Sequence, residues 1–448
     1  MPDLTEWKAR VCRAIEAHRE EIYALGEDIR VHPELGFKEF RTAALVAEQF
    51  RRLGLEPQTG IGITGVRALL RGRAASEGRP LTVAYLGELD SVIVGDHPDA
   101  DPITGAAHAC GHNAQIANVI ALAYGLAESG VMAELDGNVA LMAVPAEEYV
   151  EVDYRVGLRA AGQIEFLGGK PEMIRLGAFD DVDMTLATHQ SSHDQGKLGV
   201  GGPCNGCIVK QIRYEGRAAH AGGAPFQGIN ALKAATMGLQ AIDANRETFR
   251  DEDHIRVHPI ITKGGELVNV VPADVRLETY VRGANVEAIL AAGKKVDRAL
   301  KAGAMAVGAK VTINTLPGYL PRRWVEPLAS IYQENAVALL GAEAWSAPYF
   351  GGGSTDMGDV SHIMPAIEAQ AGGTRGTGHG ADYFIADPEM AYITPAKAAA
   401  MTIIDLLAGG AERGRAVLAA YEPPMTRDGY LAFMRGLARE VTWQAPEE

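Results

Sequence analysis

An α/β domain interrupted by a smaller inserted α+β domain is the fold class this 448-residue sequence predicts, and three observations carry it. Apolar runs at residues 81–86, 138–144 and 183–188 alternate with helical periodicity, and each ends in polar side chains. From about residue 199 the order becomes strand, helix, strand, strand, helix, strand, the split βαβ pattern of a small α+β sandwich. Beyond 315 the first texture resumes, so the expected domains are 1–198 with 316–448, and 199–315 inserted between them. A chain this long exceeds one ordinary core.

The first 56 residues read as helix, turn, helix, with Trp7, Val11, Ile15, Ile22 and Leu25 on one apolar stripe and a break at His32-Pro33-Glu34-Leu35-Gly36. Strands at 65–70 and 81–86 flank a polar turn at 71–80, and the second runs into Gly87-Glu88-Leu89-Asp90. A loop rich in Asp, Pro and Gly then leads to His108-Ala109-Cys110-Gly111-His112-Asn113 and a helix striped by Ile116, Val119, Ile120, Ala123, Tyr124 and Ala127. The strand at 138–144 ends in Pro145-Ala146-Glu147-Glu148, and that at 183–188 ends at His189. In the insertion, strands are expected at 207–216, 258–264, 276–281 and 310–315, with helices at 229–244 and 286–308. The resumed domain has a helix at 325–340, the loop Gly351-Gly352-Gly353-Ser354-Thr355-Asp356, a strand at 366–370, Gly376-Thr377-Gly378-His379 and a helix at 394–407. The glycine loop lacks the Gly-Lys-Ser/Thr of a phosphate-binding loop, so backbone freedom beside a substrate is its expected use. A helix pair at 413–439 reads as structural.

A net charge of −15 and a pI near 5.3 argue against nucleic acid or an anionic membrane as partner and favour a small-molecule substrate. The N-terminus shows no basic head followed by an apolar run, and no uninterrupted apolar run spans a bilayer, so cytoplasmic residence is the expectation. The four cysteines are too few and too unevenly placed for a disulfide framework. Cys204 and Cys207 have half-knuckle spacing without a second pair, and are read as incidental thiols.

Cys110 and His112, separated by one glycine at a helix start, form half of a metal site, since a helix N-terminus supports the thiolate that binds a divalent ion. The other half is sought at strand ends, because open α/β sheets bind ligands beyond their carboxyl edge. Asp90, Glu147, Glu148 and His189 all stand there. Neighbouring carboxylates repel, so the Glu147-Glu148 pair calls for a cation or a proton-transfer task. The polar loop at 92–104, with Asp96, His97, Asp99 and Asp101, is read as a rim.

Assembled, these residues resemble the M20 family of metal-dependent amidohydrolases and peptidases over most of the chain. The motifs are GELD (87–90), HACGHN (108–113), PAEE (145–148), ATH (187–189), GRAAHAGGAP (216–225), LVNVVP (267–272) and GGGSTDMGDVSH (351–362), with His379 beyond them. The Cys-Gly-His form is similar to the branch of aminoacylases and of hippurate, auxin-conjugate and aminobenzoyl-glutamate hydrolases. The resemblance implies a mixed-sheet, zinc-peptidase-like catalytic domain and an inserted lid or dimerisation domain. It also implies that Cys110, His112, Glu148, His189 and His379 are metal ligands and Glu147 the general base. Asp90 would orient a ligand histidine. His220, Asn269, Arg282 and Gly352 would serve the substrate, His220 as an oxyanion or carboxylate donor. One or two divalent ions are implied, manganese or zinc foremost, with cobalt or nickel also suited to these donors. The partner would be a second copy through the lid domain, as a homodimer or higher homo-oligomer.

Two positions depart from the common family pattern: Asn113 where many members carry Asp, and Glu88-Leu89-Asp90 where they carry Asp-x-Asp. Hydrolysis of an amide C–N bond in a small N-acyl amino acid, aminobenzoyl-type conjugate or dipeptide is the expected reaction. A second enzyme reading shares the site, an aryl-amine aminohydrolase of the 5-nitroanthranilate type that releases ammonia. An inert scaffold would have lost the base or ligands, yet every expected position is filled.

Overall fold

The computed structural model describes residues 4–73, 79–193, 195–444 and 446; the core of the turn expected at 71–80 lies outside them. The chain divides into two compact units. The first comprises 1–202, 323–350 and 359–426; the second comprises 203–322, 351–358 and 427–448. The resumed part of the chain is therefore shared: the glycine loop and the last 22 residues join the inserted unit.

The first unit is built on an eight-stranded mixed sheet ordered Gln58–Ile61, Gly65–Leu70, Gly137–Val144, Leu81–Glu88, Met184–Gln190, Ala366–Ala371, Leu198–Val200 and Trp345–Ser346. Its central strands Gly137–Val144, Leu81–Glu88, Met184–Gln190 and Ala366–Ala371 run parallel, so their carboxyl ends share one edge. Strands covered on both faces read as continuous apolar runs, and Leu81–Glu88 is buried at every position. The helix His112–Glu128 departs from its expected amphipathic stripe: its residues from His112 to Leu126 are buried all round. Ala-rich and Gly-containing turns let the helices Leu4–Ala17 and Thr394–Leu407 pack against it, with Gly125 admitting Ile15. The segment Glu389–Leu407 has the length and hydropathy of a membrane span, but 94% of it is buried, as a core helix would be.

The second unit is an antiparallel sheet ordered Arg256–Val257, Asp274–Gly283, Gly206–Glu215, Lys310–Tyr319 and Arg439–Gln444, with Ile260–Lys263 also paired to Asp274–Gly283. Helices Ala231–Ala244 and Val286–Met305 pack on it over a core that includes Ile212, Tyr214, Leu277, Val296 and Leu300. Asn230 and Asn285 cap these helices, each accepting the N–H three residues on. The strand Arg439–Gln444 was not expected. It follows the helix Arg427–Leu437 and pairs residue for residue with Lys310–Thr315, anchored by Arg439 Nη2 to Asp297 Oδ2 at 2.5 Å. Asp297 also accepts from the buried Lys210 at 2.6 Å.

Candidate metal centre

Three strand ends and one helix start deliver the chemistry of the first unit. Leu81–Glu88 hands over Glu88 and Asp90, Gly137–Val144 hands over Glu147 and Glu148, and Met184–Gln190 carries His189. The helix His112–Glu128 begins at its own ligand candidate, with Gly111 as the left-handed cap at φ +85°. A Cβ there would stand 2.6 Å from Tyr383 Oη and 2.8 Å from Gln190, so only glycine fits. Gly111→Ala is expected to destabilise the fold by at least about 1–2 kcal/mol, from the left-handed backbone alone, read as a shift in urea midpoint at unchanged slope.

Cys110 Sγ lies 3.3 Å from His189 Nε2 and 3.3 Å from His379 Nε2. His379 Nε2 is 3.1 Å from Glu148 Oε1. Cys110 is thereby common to two donor trios, one with His112 and His189 and one with Glu148 and His379. A third trio joins Glu88, His112 and Glu147, all buried. Within each trio the donor atoms lie within 4.8 Å of one another.

The imidazoles are oriented from behind. His112 Nδ1 lies 2.9 Å from the Asp90 carbonyl and 3.3 Å from Asp90 Oδ1, while Asp90 Oδ2 accepts the Glu148 N–H at 2.9 Å. Asp90 thus holds a histidine and the backbone of a carboxylate at once. His112 Nε2 is buried and makes no well-angled hydrogen bond, facing Glu88 Oε2 at 3.0 Å within the trio that could hold an ion. His189 Nδ1 faces the Gln190 carbonyl at 2.8 Å, which leaves Nε2 toward Cys110. The His379 backbone, at φ +60°, donates to the Ala109 carbonyl at 2.8 Å and brings a distant loop to the Cys110 segment.

The electrostatics suit an ionised donor set. Burial and Glu148 push the Cys110 thiol up, but His189 and His112 outweigh them and bring it down to about 6. Burial would raise the Glu148 carboxyl; the hydrogen bond and charge of His379 hold it at about 2. One soft thiolate with imidazoles and carboxylates fits a borderline divalent transition ion.

Side chains that the sequence reading did not single out support this site. Glu39 is fully buried; its Oε1 accepts the Ala146 N–H at 2.7 Å and its Oε2 accepts from Thr64 Oγ1 at 2.6 Å. Burial and then Asp90 raise the Glu39 carboxyl to about 7. Arg155, also fully buried, donates to the carbonyls of Ala146, Leu167 and Glu148. Together they hold Ala146 at φ +51°, the bend that presents Glu147 and Glu148. Lys170 Nζ donates to Glu88 Oε1 at 2.5 Å, and Gln115 Nε2 to Glu88 Oε2 at 2.7 Å.

Other residues that the sequence brought forward stand outside the trios. His108 is buried and belongs to none of the trios, and burial holds it neutral, down at about 3. Asn113 donates to the Gly26 carbonyl and to Tyr392 Oη, both at 3.2 Å, and so ties its helix to the helix Arg19–Arg30 and to the segment Glu389–Ile393. In the rim loop, Asp101 caps a turn through Ile103 and Thr104, Asp99 pairs with Arg30, and His97 Nε2 meets the Tyr383 carbonyl at 2.8 Å. Cys204 and Cys207 are buried and unbridged.

His220, Asn269, Arg282 and Gly352 all belong to the second unit. His220 is exposed, and its Nδ1 accepts the N–H groups of Gly222 (3.2 Å) and Gly223 (2.9 Å). That bond stabilises the turn and also fixes the tautomer, leaving Nε2–H as a donor. Asn269 is exposed and its carbonyl accepts from Ala221 at 2.9 Å. Arg282 lies over the Tyr280 ring, 5.2 Å from its centroid. Gly352 is open on its Cα face, and its carbonyl accepts from Asn205 Nδ2 at 3.1 Å.

The peptidase dimerisation domain of the M20 family matches residues 206–306. Xaa-Arg dipeptidase of Mus musculus is 29% identical over 422 residues, which cover 89% of each chain. Thermostable carboxypeptidase 1 of Saccharolobus solfataricus is 30% identical over 292 residues, 62% of this chain and 67% of that one. Among solved structures, a dinuclear metal-binding M20 peptidase from Bacillus subtilis superposes with a TM-score of 0.64 at 21% identity, covering 87% of this chain and 99% of that one. With the inserted dimerisation domain, the mixed sheet and the thiolate, imidazole and carboxylate donors in one chain, the protein belongs to the M20 family of metal-dependent amidohydrolases and peptidases.

Proposed function

We propose that this protein hydrolyses the amide C–N bond of a small dipeptide or N-acyl amino acid, aminobenzoyl-type conjugates included. The observation that carries the reading is Cys110 Sγ set 3.3 Å from two imidazoles, with Glu148 and Glu147 at the adjoining strand end. Similarity over most of the chain to a dipeptidase supports a substrate of that size.

Cys110, His112, Glu148, His189 and His379 would hold one or two divalent ions, as two trios that share Cys110. A bound divalent ion supplies Lewis acidity and brings the pKa of a water toward about 7. Glu147, buried beside Glu148, takes the proton of the attacking water and returns it to the departing nitrogen. Asp90 keeps His112 in the tautomer that offers Nε2. From the dimerisation domain, His220 Nε2–H is suited to an oxyanion or carboxylate, and Asn269 and Arg282 to the substrate carboxylate; a homodimer through that domain is part of this reading.

Metal-loaded protein incubated with dipeptides, acylamino acids, aminobenzoyl-glutamate and 5-nitroanthranilate tests it. A free amino acid should appear in step with loss of the amide, and chelation should abolish its release. Ammonia from nitroanthranilate, with every amide left intact, would overturn the amidase reading in favour of aryl-amine hydrolysis at the same site.

A further inference from the structure

Lys170 is fully buried, beside a donor set otherwise rich in negative charge. A buried ammonium persists against its desolvation penalty where it meets a negative partner, and Lys170 meets Glu88 at 2.5 Å. The other Glu88 oxygen accepts from Gln115 at 2.7 Å and lies 3.0 Å from His112 Nε2. Lys170 is therefore one carboxylate away from the nitrogen that His112 presents.

The two trios sharing Cys110 are unequal in charge. The trio with Glu148 and His379 offers an ion a thiolate and a carboxylate, while that with His112 and His189 offers the shared thiolate and two imidazoles, which carry no negative charge of their own. Glu88 could add charge to the second, but Lys170 already neutralises it. An ion on His112 Nε2 would face the ammonium across a single carboxylate, and like charges at such range repel strongly in a buried site. Asn113 adds no charge, its amide being turned to Gly26 and Tyr392.

We propose that Lys170 stands in for the charge of a second divalent ion, so that the chain holds one ion tightly on Cys110, Glu148 and His379 and a second only weakly on Cys110, His112 and His189. The inference rests on the metal-dependent reading above. It separates this chain from the Bacillus subtilis neighbour, which is described as dinuclear.

The test counts ions. Protein saturated with Mn²⁺ or Zn²⁺, then dialysed against metal-free buffer, should retain one ion per chain by plasma mass spectrometry, with weak second binding by calorimetry. Lys170→Met should retain two, its second site at least about tenfold tighter because Glu88 is released to it. Lys170→Met with Glu88→Gln removes the pair without stranding a buried charge, and should return to one. Two tightly held ions in the wild type would overturn the inference while leaving the metal reading intact, as would a folded Lys170→Met whose second site is no tighter. No retained or titratable ion in the wild type would overturn both. Should Lys170→Met not fold, the wild-type and double-variant counts decide: one ion each is the expected result, and two in either overturns it.

Discussion

Glu147→Gln is expected to lower kcat by about 10²–10⁴-fold, the usual contribution of a positioned general base, while metal content and melting temperature stay at wild-type values. Glutamine keeps the shape of a side chain that is only 8% exposed, so the packing around it is preserved. What it loses is the capacity to accept a proton from water and deliver it to the leaving nitrogen. Steady-state kinetics beside a metal count on the same preparation check the result. Glu147 also belongs to a donor trio with Glu88 and His112. A variant whose metal content fell in step with its activity would show Glu147 to be a ligand, and full activity would remove it from the chemistry altogether.

Cys110→Ala is expected to act in the opposite pattern: metal and activity fall together. Both the His112–His189 and the Glu148–His379 trios contain Cys110, so one substitution removes the thiolate from each. Activity should fall by more than about 10³-fold at limiting metal, since the ion supplies both the acidified water and the charge that stabilises the transition state. The metal-dependent gain in stability should go with it, because an ion at 100 times its Kd contributes about 2.7 kcal/mol to the folded state by mass action. Melting curves with and without added metal read this directly: the wild-type pair should separate and the Cys110→Ala pair should coincide. A variant that kept its metal would place the ion on the third trio.

Most candidate donors were legible before any coordinates because they break a local rule, whereas His379 entered only through the family resemblance. Glu147-Glu148 and Glu88-Leu89-Asp90 place charge at the mouth of otherwise apolar strands, and Cys110-Gly111-His112 crowds two ligands before a helix. The groups that support them break no such rule. Lys170 stands in the first turn of the short helix Gly169–Arg175 and Glu39 at the start of an amphipathic helix; Lys170 and its partner Glu88 are 82 residues apart. Such lysines and glutamates are exposed in most proteins, so burial was the missing signal. The strand Arg439–Gln444 escaped for a related reason: it exists by pairing with Lys310–Thr315, not by its own short alternation.

The sequence by itself determined the fold class, the family and most of the candidate donors, because strand ends, helix starts and residue chemistry are local properties that survive in a linear string. Tertiary structure alone decided how those donors combine. It made Cys110 the shared member of two trios, set Asp90 behind His112 and Lys170 behind Glu88, and gave the inserted unit its last strand. These are matters of distance between residues remote in the chain, and charges act through distance and burial, not through order in sequence.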